Sequence, residues 1–187
     1  ALEQLLGGGR DAAKQRMALA LLAEGAETSE ARGRLRRLLD ELLARSPAHA
    51  LTEELLLARA ELALADQDHA AAEVDARALL TRFPGSAQQA RALTQLATVA
   101  WELRRFRTAA DFAAQAAGAA RDADSRASLR LLAAEASYRA EDYMTAAETY
   151  AAVLEAPPRG VKVSEVMFQA VMAEIAAAWG HVVAGDA

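Results

Sequence analysis

A repeat of 37 residues is the feature that most restricts what this chain can fold into. Apolar residues recur at this spacing in five series, and a sixth series becomes aromatic in the later units. The five are Ala23, Ala60, Ala97 and Ala134; Leu19, Leu56 and Leu93, which Arg130 interrupts; Leu35, Ala72, Ala109 and Ala146; Leu42, Leu79, Ala116 and Val153; and Leu43, Leu80, Ala117 and Leu154. The sixth is Arg32, His69, Phe106 and Tyr143. Pro47, Pro84 and Pro158 share the same period, with Arg121 in the remaining slot. A unit this short cannot bury its apolar face alone, so the repeat predicts units that stack on one another.

Each unit has the pattern of two amphipathic helices. Leu93, Leu96, Ala97 and Ala100 follow the i, i+3, i+4, i+7 spacing of a helix face, and a second stripe begins at Ala109. Alanine is the commonest residue and aromatic residues make up only 5% of the chain, which favours helix over strand. We predict helices at 11–24, 29–45, 51–66, 69–82, 87–103, 106–120, 125–140, 143–155 and 163–179, with Ser86 and Ser125 as N-caps.

The pattern within each unit resembles the tetratricopeptide repeat, a helix–turn–helix motif. Leu96-Ala97, Phe106, Ala109 and Ala116 fit its small, aromatic and alanine positions, and Tyr143, Ala146, Tyr150 and Pro158 fit in the next unit. The early tryptophan of the family is missing, and the period is longer than its usual ~34 residues. The resemblance covers roughly residues 11–160. It implies a right-handed α-solenoid of about four helix hairpins plus a C-terminal helix.

On this basis we expect three segments. Residues 1–10 would be the remnant of a preceding helix and a glycine linker through Gly7, Gly8 and Gly9. Residues 11–160 would hold the repeats at about 11–47, 48–84, 85–121 and 122–158. Residues 161–187 would be a capping helix or a truncated further repeat, packed on the last hairpin through Val166, Phe168 or Met167, Val171, Met172 and Ile175.

Composition argues against several classes of function. A net charge of −5 with interspersed acids and bases gives no basic footprint for nucleic acid. No run approaches the ~20 apolar residues of a membrane span. There is no cysteine, the histidines His49, His69 and His181 lack metal-ligand spacing, and no nucleophile motif is present. We therefore expect no cofactor, no metal and no enzymatic activity.

The expected function is that of a protein–protein interaction scaffold. The junction Phe83-Pro84-Gly85-Ser86 resembles one found between units of bacterial envelope tetratricopeptide proteins, so an envelope or secretion assembly is expected and the periplasm is favoured over the cytoplasm. The alternative is an architectural or regulatory segment of a larger polypeptide that acts through self-association or intramolecular contact. In either case the expected partner is a protein or peptide.

The resemblance also implies a binding groove lined by the first helix of each hairpin. The positions on that face are Leu64, Trp101 and Tyr138; the parallel row Glu61, Thr98 and Glu135; and Arg91, Thr94 and Gln95 further along. Large aromatic side chains are favoured anchors for a partner because they bury much area with few rotors. The competing interpretation is that Trp101 packs on the second helix of its own hairpin and belongs to the core.

Overall fold

The computed structural model describes residues 1–8, 11–45 and 48–183, and of residues 180–183 only the helical backbone. Within these ranges there are ten α-helices and no strand, which confirms the all-α prediction. The helices are α1 (Leu2–Gly8), α2 (Ala12–Glu24), α3 (Ser29–Leu43), α4 (Thr52–Ala65), α5 (His69–Arg82), α6 (Gln89–Glu102), α7 (Phe106–Ala119), α8 (Ala123–Arg139), α9 (Tyr143–Glu155) and α10 (Val163–Val183). Pro47, Gly9 and residues 184–187, which enter the predicted repeat and terminal segments, lie outside the described residues.

The chain divides into two compact units, Ala1–Gln95 and Leu96–Ala187, and the division falls within α6. In the first unit α1 packs on α2, α3 on α4, and α4 along α5. In the second unit α7 packs on α8, α8 on α9, and α9 on α10. Most packing is thus between consecutive helices, and in the first unit α2 also contacts α4.

The two units are filled by different side chains. The first has a leucine core, in which Leu6, Leu39, Leu42, Leu51 and Leu55 are fully buried. The second contains alanine clusters, one formed by Ala97, Ala113 and Ala133 and another by Ala100, Ala109 and Ala136. Because the distance between packed helices depends on the side chains at the contact, alanine permits a closer approach than leucine.

The repeat series occupy equivalent environments in successive hairpins. Leu42, Leu79, Ala116 and Val153 are fully buried, and so are Ala72, Ala109 and Ala146. Ala60, Ala97 and Ala134 are fully buried, whereas Ala23 is only half-buried. His69, Phe106 and Tyr143 are the first residues of α5, α7 and α9, and each is half-buried. The period of the sequence is thus a period of burial as well.

Three hairpin turns share one backbone conformation that the sequence did not reveal. Gln67, Arg104 and Glu141 lie 37 residues apart and have φ of 59°, 57° and 62°. The amide after each one donates back into the preceding helix, as Asp68 N does to Ala63 O at 2.8 Å. Glycine adopts this left-handed conformation without steric cost, but none of the three residues is glycine.

Two predicted helix starts need correction. Ser125 is not an N-cap, because α8 begins at Ala123 and the Asp122 carboxylate accepts from the Ser125 amide at 2.8 Å. Ser86 Oγ accepts from Gln88 N at 3.0 Å, one residue before α6 begins, so it stabilises the turn ahead of the helix.

The N-terminal segment also differs from the prediction. Gly7 and Gly8 belong to α1 and not to a linker, and Leu6 is part of the leucine core.

The C-terminal helix packs through small residues, contrary to most of the prediction. Val166, Ala170 and Ala173 follow an i, i+4, i+7 stripe and are buried in one cluster with residues of α9. Met167, Phe168, Val171, Met172 and Ile175 are all exposed. The prediction was therefore right for Val166 and wrong for the larger residues, which lie off the stripe and cannot face α9 at the same time.

Candidate partner-binding site

Two pairs of aromatic rings close the hairpin turns of the second unit. Trp101 and Phe106 pack edge to face across the α6–α7 turn, with ring centroids 5.4 Å apart. Tyr138 and Tyr143 do the same across the α8–α9 turn at 5.2 Å. Trp101 thus makes the packing contact that the core interpretation required. It is nevertheless only half-buried, so part of the ring remains accessible.

A groove of about 370 Å³ lies beside these rings. Its lining comes from four helices of the second unit and consists of Trp101, Glu135, Tyr138, Arg139, Tyr150, Phe168, Gln169 and Met172. Phe168 is largely exposed on α10. The groove therefore brings together Trp101, Tyr138 and Glu135, which the sequence had proposed for one binding face.

The groove contains an unusual acidic group. Burial raises the pKa of the Glu135 carboxyl above its ordinary value, and the neighbouring Arg139 guanidinium opposes this shift. The Arg139 guanidinium also lies over the Trp101 ring, 5.9 Å from its centroid. Burial, reinforced by Glu135, raises the pKa of the Tyr150 hydroxyl. A partner that supplies a positive charge or a hydrogen-bond donor would stabilise the ionised form of Glu135.

The charged first-unit residues of the predicted face are engaged in ion pairs. Glu61 and Arg91 are exposed and form an ion pair at 2.6 Å between α4 and α6. They line a second groove of about 330 Å³ with Arg16 and Glu54, which pair at 2.8 Å. Leu64 is half-buried on α4. The charges of this groove are thus already paired with one another, and its apolar lining consists of leucine and alanine side chains in place of the aromatic rings of the second-unit groove.

Two of the remaining predicted residues, Gln95 and Thr94, bond to helix carbonyls. Gln95 is buried, and its amide donates to the Leu57 carbonyl at 3.2 Å, which ties α6 to α4. Thr94 Oγ1 donates to the Ala90 carbonyl within its own helix at 2.8 Å. Thr98 is half-buried on α6.

Phe168, Gln169 and Met172 are groove residues that the sequence prediction placed elsewhere or omitted. The repeat period contained a signal for Met172, because it follows the groove residue Glu135 by 37 residues. It contained none for Phe168 and Gln169, since the residues 37 positions before them do not line the groove.

Within the described residues no group of three or more histidine or acidic side chains is arranged to hold a metal ion. In the same part of the chain, no helix is both long and apolar enough to cross a bilayer. Comparisons with protein-family models, with curated proteins and with solved structures find no match. The resemblance to the tetratricopeptide repeat therefore rests only on the residue pattern of the sequence.

Proposed function

We propose that this protein is a non-catalytic interaction module that holds a segment of a partner protein in the groove of the second unit. The observation that supports this is the convergence of Trp101, Tyr138 and Phe168 on one open groove. Aromatic side chains in such a position supply large contact areas at a small entropic cost. The resemblance to tetratricopeptide repeats, whose first helices line a groove, agrees with this assignment.

The groove favours a partner segment with one large apolar residue and a nearby basic residue. The apolar residue would lie between the rings of Trp101 and Phe168, while the basic residue would pair with Glu135. Since burial raises the pKa of Glu135, its ionised form costs more there than in water, and a partner cation would recover part of this cost. The proposed setting is a bacterial envelope assembly, on the basis of the Phe83-Pro84-Gly85-Ser86 junction alone.

Site-specific photocrosslinking in the native host tests the proposal. A benzophenone amino acid at Phe168 should give a discrete protein adduct. The same group at Val74, an equally exposed position on α5, should not give it. Trp101→Ala should remove the adduct while circular dichroism shows the helices intact. An adduct pattern that is the same at both positions, or that survives Trp101→Ala, would contradict the proposal.

A further inference from the structure

Another groove of the second unit, here called the arginine groove, has a volume of about 400 Å³ and lies among α7, α8 and α9. Three guanidinium groups line it, those of Arg107 on α7 and of Arg126 and Arg130 on α8. Most of its other lining side chains are small, and the alanines among them are Ala110, Ala114, Ala117, Ala133 and Ala140. Among the described residues, none lines both the arginine groove and the groove beside Trp101. The arginine groove is therefore a separate site.

The repeat shows that the polar side chains of this groove are not needed to form a hairpin. Three lining residues are polar where the preceding repeat is apolar: Arg130 follows Leu93 by 37 residues, Ser137 follows Ala100, and Thr149 follows Phe112. Leu93 and Ala100 are buried, and Phe112 packs on an alanine cluster. Positions where a chain departs from its own structural pattern are those where functional sites are expected.

The positive charges of the arginine groove are not neutralised by ion pairs within the chain. In the part of the chain that the structure describes, Arg107, Arg126 and Arg130 have no carboxylate within ion-pair distance. Arg126 donates to the neutral Ala120 carbonyl at 3.0 Å. Arg126 and Arg130 are also one turn apart on the same helix, where like charges repel. An anion bound between them would offset this repulsion.

Two carboxylates also line the groove but leave its excess of positive charge in place. Asp142 is the N-cap of α9 and accepts from Thr145 N at 3.3 Å. Asp111 is exposed on α7. The three guanidinium groups therefore outnumber the carboxylates. A ligand with singly charged groups is favoured over a phosphate, because Asp111 would repel a phosphate charge of about −1.5 to −2 more strongly.

We infer that the arginine groove binds an extended acidic segment of a partner polypeptide, with carboxylates on alternate residues. Alternate side chains of an extended chain share a face and lie about 6.7 Å apart. Side chains one helical turn apart, as in Arg126 and Arg130, are about 5–6 Å apart. Each carboxylate can therefore reach one guanidinium group, which binds carboxylates through two parallel hydrogen bonds. A helical segment does not fit, since one turn of a helix 10–12 Å across fills roughly 500 Å³, more than the groove holds.

A labelled peptide of five residues, with glutamate at its second and fourth positions and alanine elsewhere, provides the probe. Titration with the full chain, followed by fluorescence anisotropy, should show saturable binding that weakens as ionic strength rises. Arg130→Leu should weaken the binding at least about tenfold, because hydrogen bonds between charged groups are the stronger kind. The variant should fold, since leucine holds this position in the three preceding repeats. Arg37→Leu, which removes an exposed arginine from α3, makes the same change in net charge and should leave the affinity unchanged.

Two altered peptides and a competitor separate the possible outcomes. The same peptide with glutamine in place of glutamate should not bind, and an isomer with adjacent glutamates, which face opposite sides of an extended chain, should bind more weakly. Excess inorganic phosphate at constant ionic strength should not displace the peptide. Trp101→Ala should leave the affinity unchanged, so this site and the groove beside Trp101 are tested separately. The inference is wrong if no saturable binding occurs below ~1 mM peptide, if Arg130→Leu and Arg37→Leu behave alike, if either altered peptide binds as well as the probe, or if phosphate displaces it.

Discussion

An ion pair in the first unit, between Arg59 and Asp75, occupies two repeat positions that are leucine one repeat earlier. The Arg59 guanidinium on α4 donates to both oxygens of Asp75 on α5, at 2.8 and 2.5 Å, and to Asp40 at 2.5 Å. The side chain of Asp75 is only 3% exposed, and that of Arg59 is 25% exposed. The residues 37 positions earlier are Leu22 and Leu38, which pack against the leucine core. Leucine is therefore accommodated at both equivalent positions in the preceding repeat.

The expected effects follow from which charge is left behind. Arg59→Leu strands a buried carboxylate and should cost ~3–5 kcal/mol of unfolding free energy. Asp75→Leu should cost less, ~2–3 kcal/mol, because Arg59 reaches solvent and retains Asp40, an exposed partner that contributes little. The double variant Arg59→Leu with Asp75→Leu leaves no buried charge unpaired, since the remaining partner Asp40 is exposed to solvent. It should lie within ~1 kcal/mol of the parent or be more stable, since apolar replacements of buried pairs are often neutral or favourable.

Urea unfolding followed by circular dichroism measures the three variants. The double-mutant cycle should give a coupling of at least ~2 kcal/mol, far above the ~0.5 kcal/mol scatter of independent sites. The reasoning would be refuted if Arg59→Leu cost less than ~1 kcal/mol, or if the two single losses simply added in the double variant. Exchanging Arg77 and Glu73 for leucine provides a control in which the single losses should be small, because this i, i+4 pair on α5 is accessible to solvent.

Three other perturbations test separate features. Ala97→Leu should destabilise by ~1–3 kcal/mol, because Ala97 is fully buried against Ala113 and Ala133, and an unchanged melting temperature would count against this packing. Gln67→Gly should stabilise by ~0.5–1 kcal/mol by removing the cost of a side chain at positive φ, whereas Gln67→Ala, which retains the Cβ, should bring no gain; equal unfolding free energies for the two variants would exclude the strain. Since the pKa of Glu135 is raised in the folded state, its ionisation opposes folding, so the unfolding free energy should fall as pH rises from the unfolded pKa through the folded one. Glu135→Gln should flatten that part of the pH profile, and a profile identical to the parent's would show that burial does not perturb this carboxyl.

The helices and their register were predictable because the positions that recur every 37 residues are those that each hairpin buries. Ala97 and Ala134 are both buried and lie 37 residues apart, so the spacing alone placed them correctly. The turn conformation was not predictable, since Gln67 and Glu141 have no sequence signal for positive φ and are held there by the packed helices on either side.

The groove was predicted only in part. Trp101 and Tyr138 followed from the repeat, but Phe168 and Met172 were assigned to a buried face. An apolar residue on an amphipathic helix indicates a surface to be covered, and it does not say whether this chain or a partner covers it. On α10 the small residues Ala170 and Ala173 make the internal contact, and the large ones remain outside.

The first unit has a leucine core and the second has alanine clusters, so the size of a substituted side chain is limited in opposite ways in the two units. A fully buried leucine such as Leu39 can be lost to a smaller residue, which leaves a void, so the first unit has a lower limit on side-chain size. A fully buried alanine such as Ala109 can hardly become smaller, but any larger side chain must push two helices apart, so the second unit has an upper limit. Different substitutions are therefore tolerated at the same repeat position in the two units. Sequence identity between the hairpins can decrease in this way while the buried positions continue to recur every 37 residues.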